Sequence, residues 1–162
     1  MPTKIIDLTH VINENITVFP GTLEPKFTQL NTIERDGFAE LRMTMCTHTG
    51  THIDAPCHMI KSAKSLDQFP VAKFVGKTIV IPCQGRNEID LDYLQSFENQ
   101  ISKVNFIIFF TGCQMKWKTA AYFEDFPTLT LEASKWLTKF NLDGLGFDAI
   151  SVDEVLAVDQ PN

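Results

Sequence analysis

The chain has 162 residues, is 44% hydrophobic and 21% charged, and carries a formal net charge of −6 with a pI near 5.1. This is the composition of a globular protein, and its length suits one domain, residues 1–162, able to bury about two thirds of its unfolded surface without disulfides or a structural metal. The acidic balance argues against a nucleic-acid or anionic-membrane binder, either of which needs a basic footprint, and no apolar run approaches the ~18 residues of a membrane span.

In chain order, the start has no positively charged stretch leading into an apolar one, so no secretory signal is expected. Residues 4–9 read as a short strand and residues 13–25 as loop, with Pro20-Gly21 marking a turn. Residues 27–33 and 40–47 alternate as strands joined near Gly37; Leu41, Met43 and Met45 share one face, and Arg42, Thr44 and Cys46 the other. Residues 78–82 and 105–111 are short β-rich runs, apolar on both faces, as in strands covered by helices. Between them Asp90 caps a helix over 91–97; Thr130 caps a stronger one whose stripe runs from Leu131 to Phe140. Residues 145–152 form a further strand. Antiparallel strands followed by β-helix-β units predict a layered α/β or α+β domain. The four cysteines, at 46, 57, 83 and 113, contain no C-x-x-C pair, and reduced thiols in a cytoplasmic protein are expected.

Chemistry concentrates in HTGTHIDAPCH, residues 48–58, which holds three of the four histidines and one aspartate. Imidazole and carboxylate are preferred ligands of Zn²⁺, Mn²⁺ and related ions. His48, His52, Asp54 and His58 are separated by even numbers, so an extended chain sends them to one side. A straight strand nevertheless puts His48 and His52 ~13 Å apart, too far for one ion. The chain must bend, and Gly50 sits midway, where positive φ is free of cost. Gly50, the β-branched residues at 49, 51 and 53, and Pro56 all oppose a helix; Pro56 should hold the next residues out of one. Cys57, at odd parity, points away, and His10 reads as structural. His58, beyond Pro56, suits general acid–base work beside a metal-bound water.

This segment resembles the signature H-x-G-T-H-x-D-x-P-x-H of the putative cyclase family of metal-dependent hydrolases, whose activities include bacterial kynurenine formamidase and isatin hydrolase. The likeness extends to Ile6-Asp7-Leu8-Thr9-His10, Phe19-Pro20-Gly21, Phe109-Phe110-Thr111-Gly112 through Trp117, Phe126-Pro127, residues 131–137 and residues 144–153. It implies a swivelling β/β/α-like domain, usually in a homodimer or higher homo-oligomer. It also implies His48, His52 and Asp54 as metal ligands, His58 as catalytic acid–base and Phe19 at the substrate pocket. A divalent metal is the implied cofactor, Zn²⁺ first and Mn²⁺ second, with a small-molecule amide as substrate.

The family pattern continues past the segment matching Ser151-Val152-Asp153 with a further histidine and a glutamate for the metal. This sequence runs nine residues beyond Asp153, has no histidine after His58, and has Glu154 as its only late glutamate. The expectation is therefore a truncated chain, a partly lost site or a partner that supplies ligands, with one ion held by three groups. The leading reading is an amide hydrolase resembling arylformamidase, which converts N-formylkynurenine to kynurenine and formate. The alternatives are a non-catalytic metal-binding oligomeric relative and, among enzymes, an isatin-type cyclic amide hydrolase.

Overall fold

Period-2 alternation in the first half of the chain yields a hairpin. In the computed structural model, which describes residues 4–154, β1 (Lys26–Asn31) pairs antiparallel with β2 (Glu40–Thr44), with a bulge between Gln29 and Asn31. β1 stops short of Ile33 because the next residues favour a helical turn, α1 (Ile33–Asp36). The Thr32 hydroxyl accepts the Arg35 N–H at 3.3 Å, Asp36 accepts the Thr32 N–H at 2.9 Å, and Gly37 ends the turn at φ +79°.

Residues 4–9 are not a strand. Asp7 accepts both the N–H and the hydroxyl of Thr9, at 2.9 and 2.7 Å, and this local turn competes with extended pairing. The same two bonds hold the Asp7 carboxyl below its ordinary pKa.

The chain divides into two compact units between Leu66 and Asp67. In the first, the described residues include only three buried ones, Ile16, Pro25 and Thr49. The alternation in β2 therefore does not give a half-buried face: Leu41 and Met43 are 47% and 61% exposed.

The second unit holds the hydrophobic core. β3 (Thr78–Pro82), β5 (Phe106–Phe110) and β7 (Gly144–Phe147) form a parallel sheet in the order β3-β5-β7. Ile81, Ile107 and Phe109 are fully buried, and they cluster with Leu94, Ile101, Ala133, Trp136 and Leu137 from the helices. Those helices are α2 (Leu91–Gln95), α3 (Glu98–Ile101) and α4 (Leu131–Leu137). Each fully buried large aliphatic or aromatic side chain contributes about 1.5–3 kcal/mol. Asp90 and Thr130 cap α2 and α4 as expected, accepting from the Tyr93 and Ala133 N–H groups. In β7, Gly144 and Gly146 lie against Phe106 and Ile108; a Cβ on either would come within 3.1 and 3.3 Å of those side chains.

β7 ends at Phe147, short of the expected residue 152, because Asp148 turns back onto β5. Its carboxylate accepts the Thr111 N–H at 2.7 Å, the Thr111 hydroxyl at 2.6 Å and the Gly112 N–H at 2.8 Å. At the opposite end of the sheet, Lys73 Nζ and Asn105 Nδ2 donate to Asp143 at 2.5 and 3.0 Å. The Lys73 hydrogen bond, followed by that of Asn105, holds the Asp143 carboxyl below its usual range. A short parallel pair, β4 (Glu88–Ile89) with β6 (Thr128–Leu129), completes a mixed α/β architecture. No helix of the described residues is long and apolar enough to cross a membrane.

Candidate metal centre

The segment after β2 has no regular structure from Met45 to Ala55, then makes one 3₁₀ turn, Pro56–His58. Ala55 is extended (φ −81°, ψ 154°), as the following proline requires. Pro56 itself does not keep the chain out of a helix. It occupies the first position of the turn, where a missing N–H costs nothing. Gly50 adopts φ +66° and makes the bend that brings His52 back to His48. Their rings meet edge to face with centroids 4.9 Å apart, far closer than a straight strand allows.

Three candidate ligand atoms form a small triangle. His48 Nδ1 lies 3.0 Å from His52 Nε2 and 2.8 Å from Asp54 Oδ1, and His52 Nε2 lies 3.3 Å from Asp54 Oδ1. Atoms about 2.0–2.2 Å from one tetrahedral ion stand roughly 3.3–3.6 Å apart, so the set is gathered to near chelating distance. The donor chemistry fits as well. His52 Nδ1 is 2.9 Å from the Gly50 carbonyl, which can only accept. In the neutral ring the proton then sits on Nδ1 and Nε2 turns a lone pair towards His48 and Asp54, the backbone-anchored tautomer usual for a ligating histidine. A single proton on His48 Nδ1 cannot serve both neighbours well, whereas a cation satisfies all three. The side chains are 40%, 33% and 52% exposed, so the site is open to water.

His58 joins this group: ligand atoms of His48, Asp54 and His58 lie within 4.8 Å of one another, and the His48 and His58 rings are 4.2 Å apart at a tilt of 42°. His48 and Asp54 are thus shared between two sets, one with His52 and one with His58. Phe19 opens the Phe19–Thr22 turn and is 39% exposed. Cys57 is exposed, and its N–H donates to the Lys64 carbonyl at 3.2 Å. The His10 N–H donates to the Thr51 hydroxyl at 3.3 Å, tying the chain start to the loop.

The sequence reading missed what holds the loop. Thr49, 2% exposed, donates its hydroxyl to the Cys46 carbonyl at 2.8 Å. Ile16 sits against Gly50, its Cδ1 3.0 Å from where a Cβ would be. A β-branched residue inside the motif is a weak signal for Thr49; nothing local signals Ile16, which lies 34 residues earlier.

The family model described as "Putative cyclase" matches residues 6–154. The chain belongs to the putative cyclase family. Kynurenine formamidase of Geobacillus thermodenitrificans (strain NG80-2) is 29% identical over 158 residues, 96% of this chain and 73% of that protein. The kynurenine formamidase of Bacillus cytotoxicus (strain DSM 22905 / CIP 110041 / 391-98 / NVH 391-98) is 29% identical over 150 residues, 91% of this chain and 69% of that protein. Among solved structures, a potential metal-dependent hydrolase with cyclase activity superposes with a TM-score of 0.70 at 26% identity, covering 98% of this cyclase-family chain and 73% of that one. Isatin hydrolase A of Labrenzia aggregata, bound to benzyl benzoate, gives 0.78 at 22% identity over 98% and 74%, a likeness of fold. Mixed α/β architecture is thus common to this putative cyclase and its structural neighbours.

Proposed function

We propose that this protein is a metal-dependent hydrolase that cleaves the amide bond of an aryl formamide of the N-formylkynurenine type. The observation that carries the reading is the convergence of His48 Nδ1, His52 Nε2 and Asp54 Oδ1 within 3.3 Å, with the His58 ring beside them. Membership of the family and the named activities of the formamidase relatives support the reaction class. The family match spans both compact units, which supports one catalytic module over residues 1–162.

His48, His52 and Asp54 would hold a divalent ion, Zn²⁺ first and Mn²⁺ second. When bound, such an ion polarises the amide carbonyl and lowers the pKa of water. Asp54 contributes the negative charge of the ligand set, and the His52–Gly50 hydrogen bond keeps one imidazole lone pair directed inward. His58 takes a proton from the attacking water and returns it to the amide nitrogen as the C–N bond breaks, giving formate and the free amine. Phe19 flanks the aryl group of the substrate. The chain acts in the cytoplasm as a homodimer or higher homo-oligomer.

The test combines metal analysis of purified protein with N-formylkynurenine hydrolysis. His48→Ala and His52→Ala should lose the metal. His58→Ala should retain it while kcat falls ~10²–10⁴-fold. A His58→Ala protein with undiminished turnover removes that residue from the mechanism, and a parent protein that hydrolyses isatin but not the formamide redirects the substrate assignment.

A further inference from the structure

We propose that Thr49 is a positioning residue for the metal-binding imidazoles, holding His48 in register with His52 through its hydroxyl. This rests on the reading of His48, His52 and Asp54 as ligands.

Burial is the first observation. Of the described residues up to Leu66 only Ile16, Pro25 and Thr49 are buried, and Thr49 is the polar one. Within residues 45–58 it is the one buried residue, and it stands between a metal-binding histidine and the glycine that makes the bend. Hydrogen bonding is the second. The Thr49 hydroxyl donates to the Cys46 carbonyl across three residues at 2.8 Å, closing the chain just before it reverses. His48 lies inside that closure. Its backbone is therefore fixed on one side by Thr49 and on the other by β2, which ends at Thr44. Packing is the third. Gly50, at φ +66°, lies beside Ile12 and Ile16, with Ile16 Cδ1 3.0 Å and Ile12 Cγ1 3.4 Å from the position of an added Cβ. Thr49 and Gly50 divide the work: the hydroxyl sets where His48 enters the bend, and the glycine sets where His52 leaves it.

Threonine suits the position for two separable reasons, shape and hydroxyl. Valine keeps the branched shape without the donor, and serine keeps the donor without the branch. The proposal assigns the effect to the donor. The hydroxyl bonds the loop backbone and not an imidazole, and leaving the Cys46 carbonyl without it corresponds to roughly tenfold or more in metal affinity.

The experiment measures Zn²⁺ affinity by competition with a chromogenic chelator, and the d–d absorption of bound Co²⁺, for the full chain and for Thr49→Ser, Thr49→Val and Thr49→Ala. Urea unfolding shows that each variant is folded. Parent and Thr49→Ser should agree within about twofold and share one Co²⁺ spectrum, while Thr49→Val and Thr49→Ala bind at least about tenfold more weakly with an altered band. If Thr49→Val does not fold, the serine–alanine pair makes the same comparison. Affinity that follows shape, with valine matching threonine and serine matching alanine, overturns the proposal, as does equal binding by all four. A parent chain that binds neither ion overturns the ligand assignment itself, an outcome distinct from equal binding by parent and variants.

Discussion

Gly50→Ala perturbs the bend of the candidate site without touching any ligand. At φ +66° a side chain enters the left-handed region, which costs about 1–2 kcal/mol for a residue with a Cβ. The new methyl would also lie 3.0 Å from Ile16 Cδ1, but that is the tip of a flexible side chain, and a shift of a few tenths of an ångström relieves the contact. Backbone strain therefore outweighs the steric contact. If the loop must return to this shape to gather His48, His52 and Asp54, metal affinity should fall roughly 5–30-fold, at 1.4 kcal/mol per factor of ten. Gly37→Ala is the matched control: its φ is +79°, nothing lies within 4 Å of an added Cβ, and it sits at the hairpin connection. It should lower the unfolding midpoint and leave metal affinity unchanged. Chelator competition on both variants decides the matter. Gly50→Ala binding within twofold of the parent, or Gly37→Ala weakening binding as much, would refute the account of the bend.

Three further predictions concern the second unit. Phe109→Ala empties a fully buried position on the central strand and removes the partner of the Phe147 ring at 4.8 Å; it should cost about 3–5 kcal/mol, read as a lower urea midpoint. Asp143, held below its usual pKa by Lys73, contributes stability that is present above the unfolded carboxylate value and lost as pH falls through the depressed one. The midpoint difference between parent and Asp143→Asn should therefore be larger at pH 6 than at pH 3; equal differences would remove the Lys73 contact as its cause. Burial pushes the Cys83 thiol up to about 11. At pH 8 iodoacetamide should label exposed Cys57 and spare Cys83 until urea is added, as peptide mass mapping would show, and stability should decline as pH rises from about 9 towards 11.

Local signals in this sequence were faithful where one principle governs. Thr78–Pro82 is β3 with the expected ends, because a short β-branched run that follows Lys77 and closes on a proline has few alternatives. Asp90 and Thr130 cap their helices because cap chemistry is decided within four residues. The candidate metal loop was legible because its four polar residues fall within eleven positions and Gly50 lies midway between His48 and His52. Three features were not legible. Asp7 bonding to Thr9 displaced a strand, a contest between side chain and ladder that alternation does not reveal. Asp148 clamps Thr111 and Gly112 from 37 and 36 residues away, and the Lys73–Asp143–Asn105 contacts are longer in sequence still. Alternation in β2 put Leu41, Met43 and Met45 on one face, yet Met43 is 61% exposed; periodicity identifies a face without identifying what covers it.

The candidate ligands lie within seven consecutive residues, whereas the sheet pairs Ile79 with Ile107 and Ile107 with Leu145. Closing a loop of about ten residues takes roughly 10–100 ns, while parallel strands must wait for distant segments to meet. On a chain growing at about 5–20 residues per second, His58 is made several seconds before β7. Closure of the candidate metal loop and assembly of the sheet thus run on separate clocks, and the loop, by its place in the sequence, starts first.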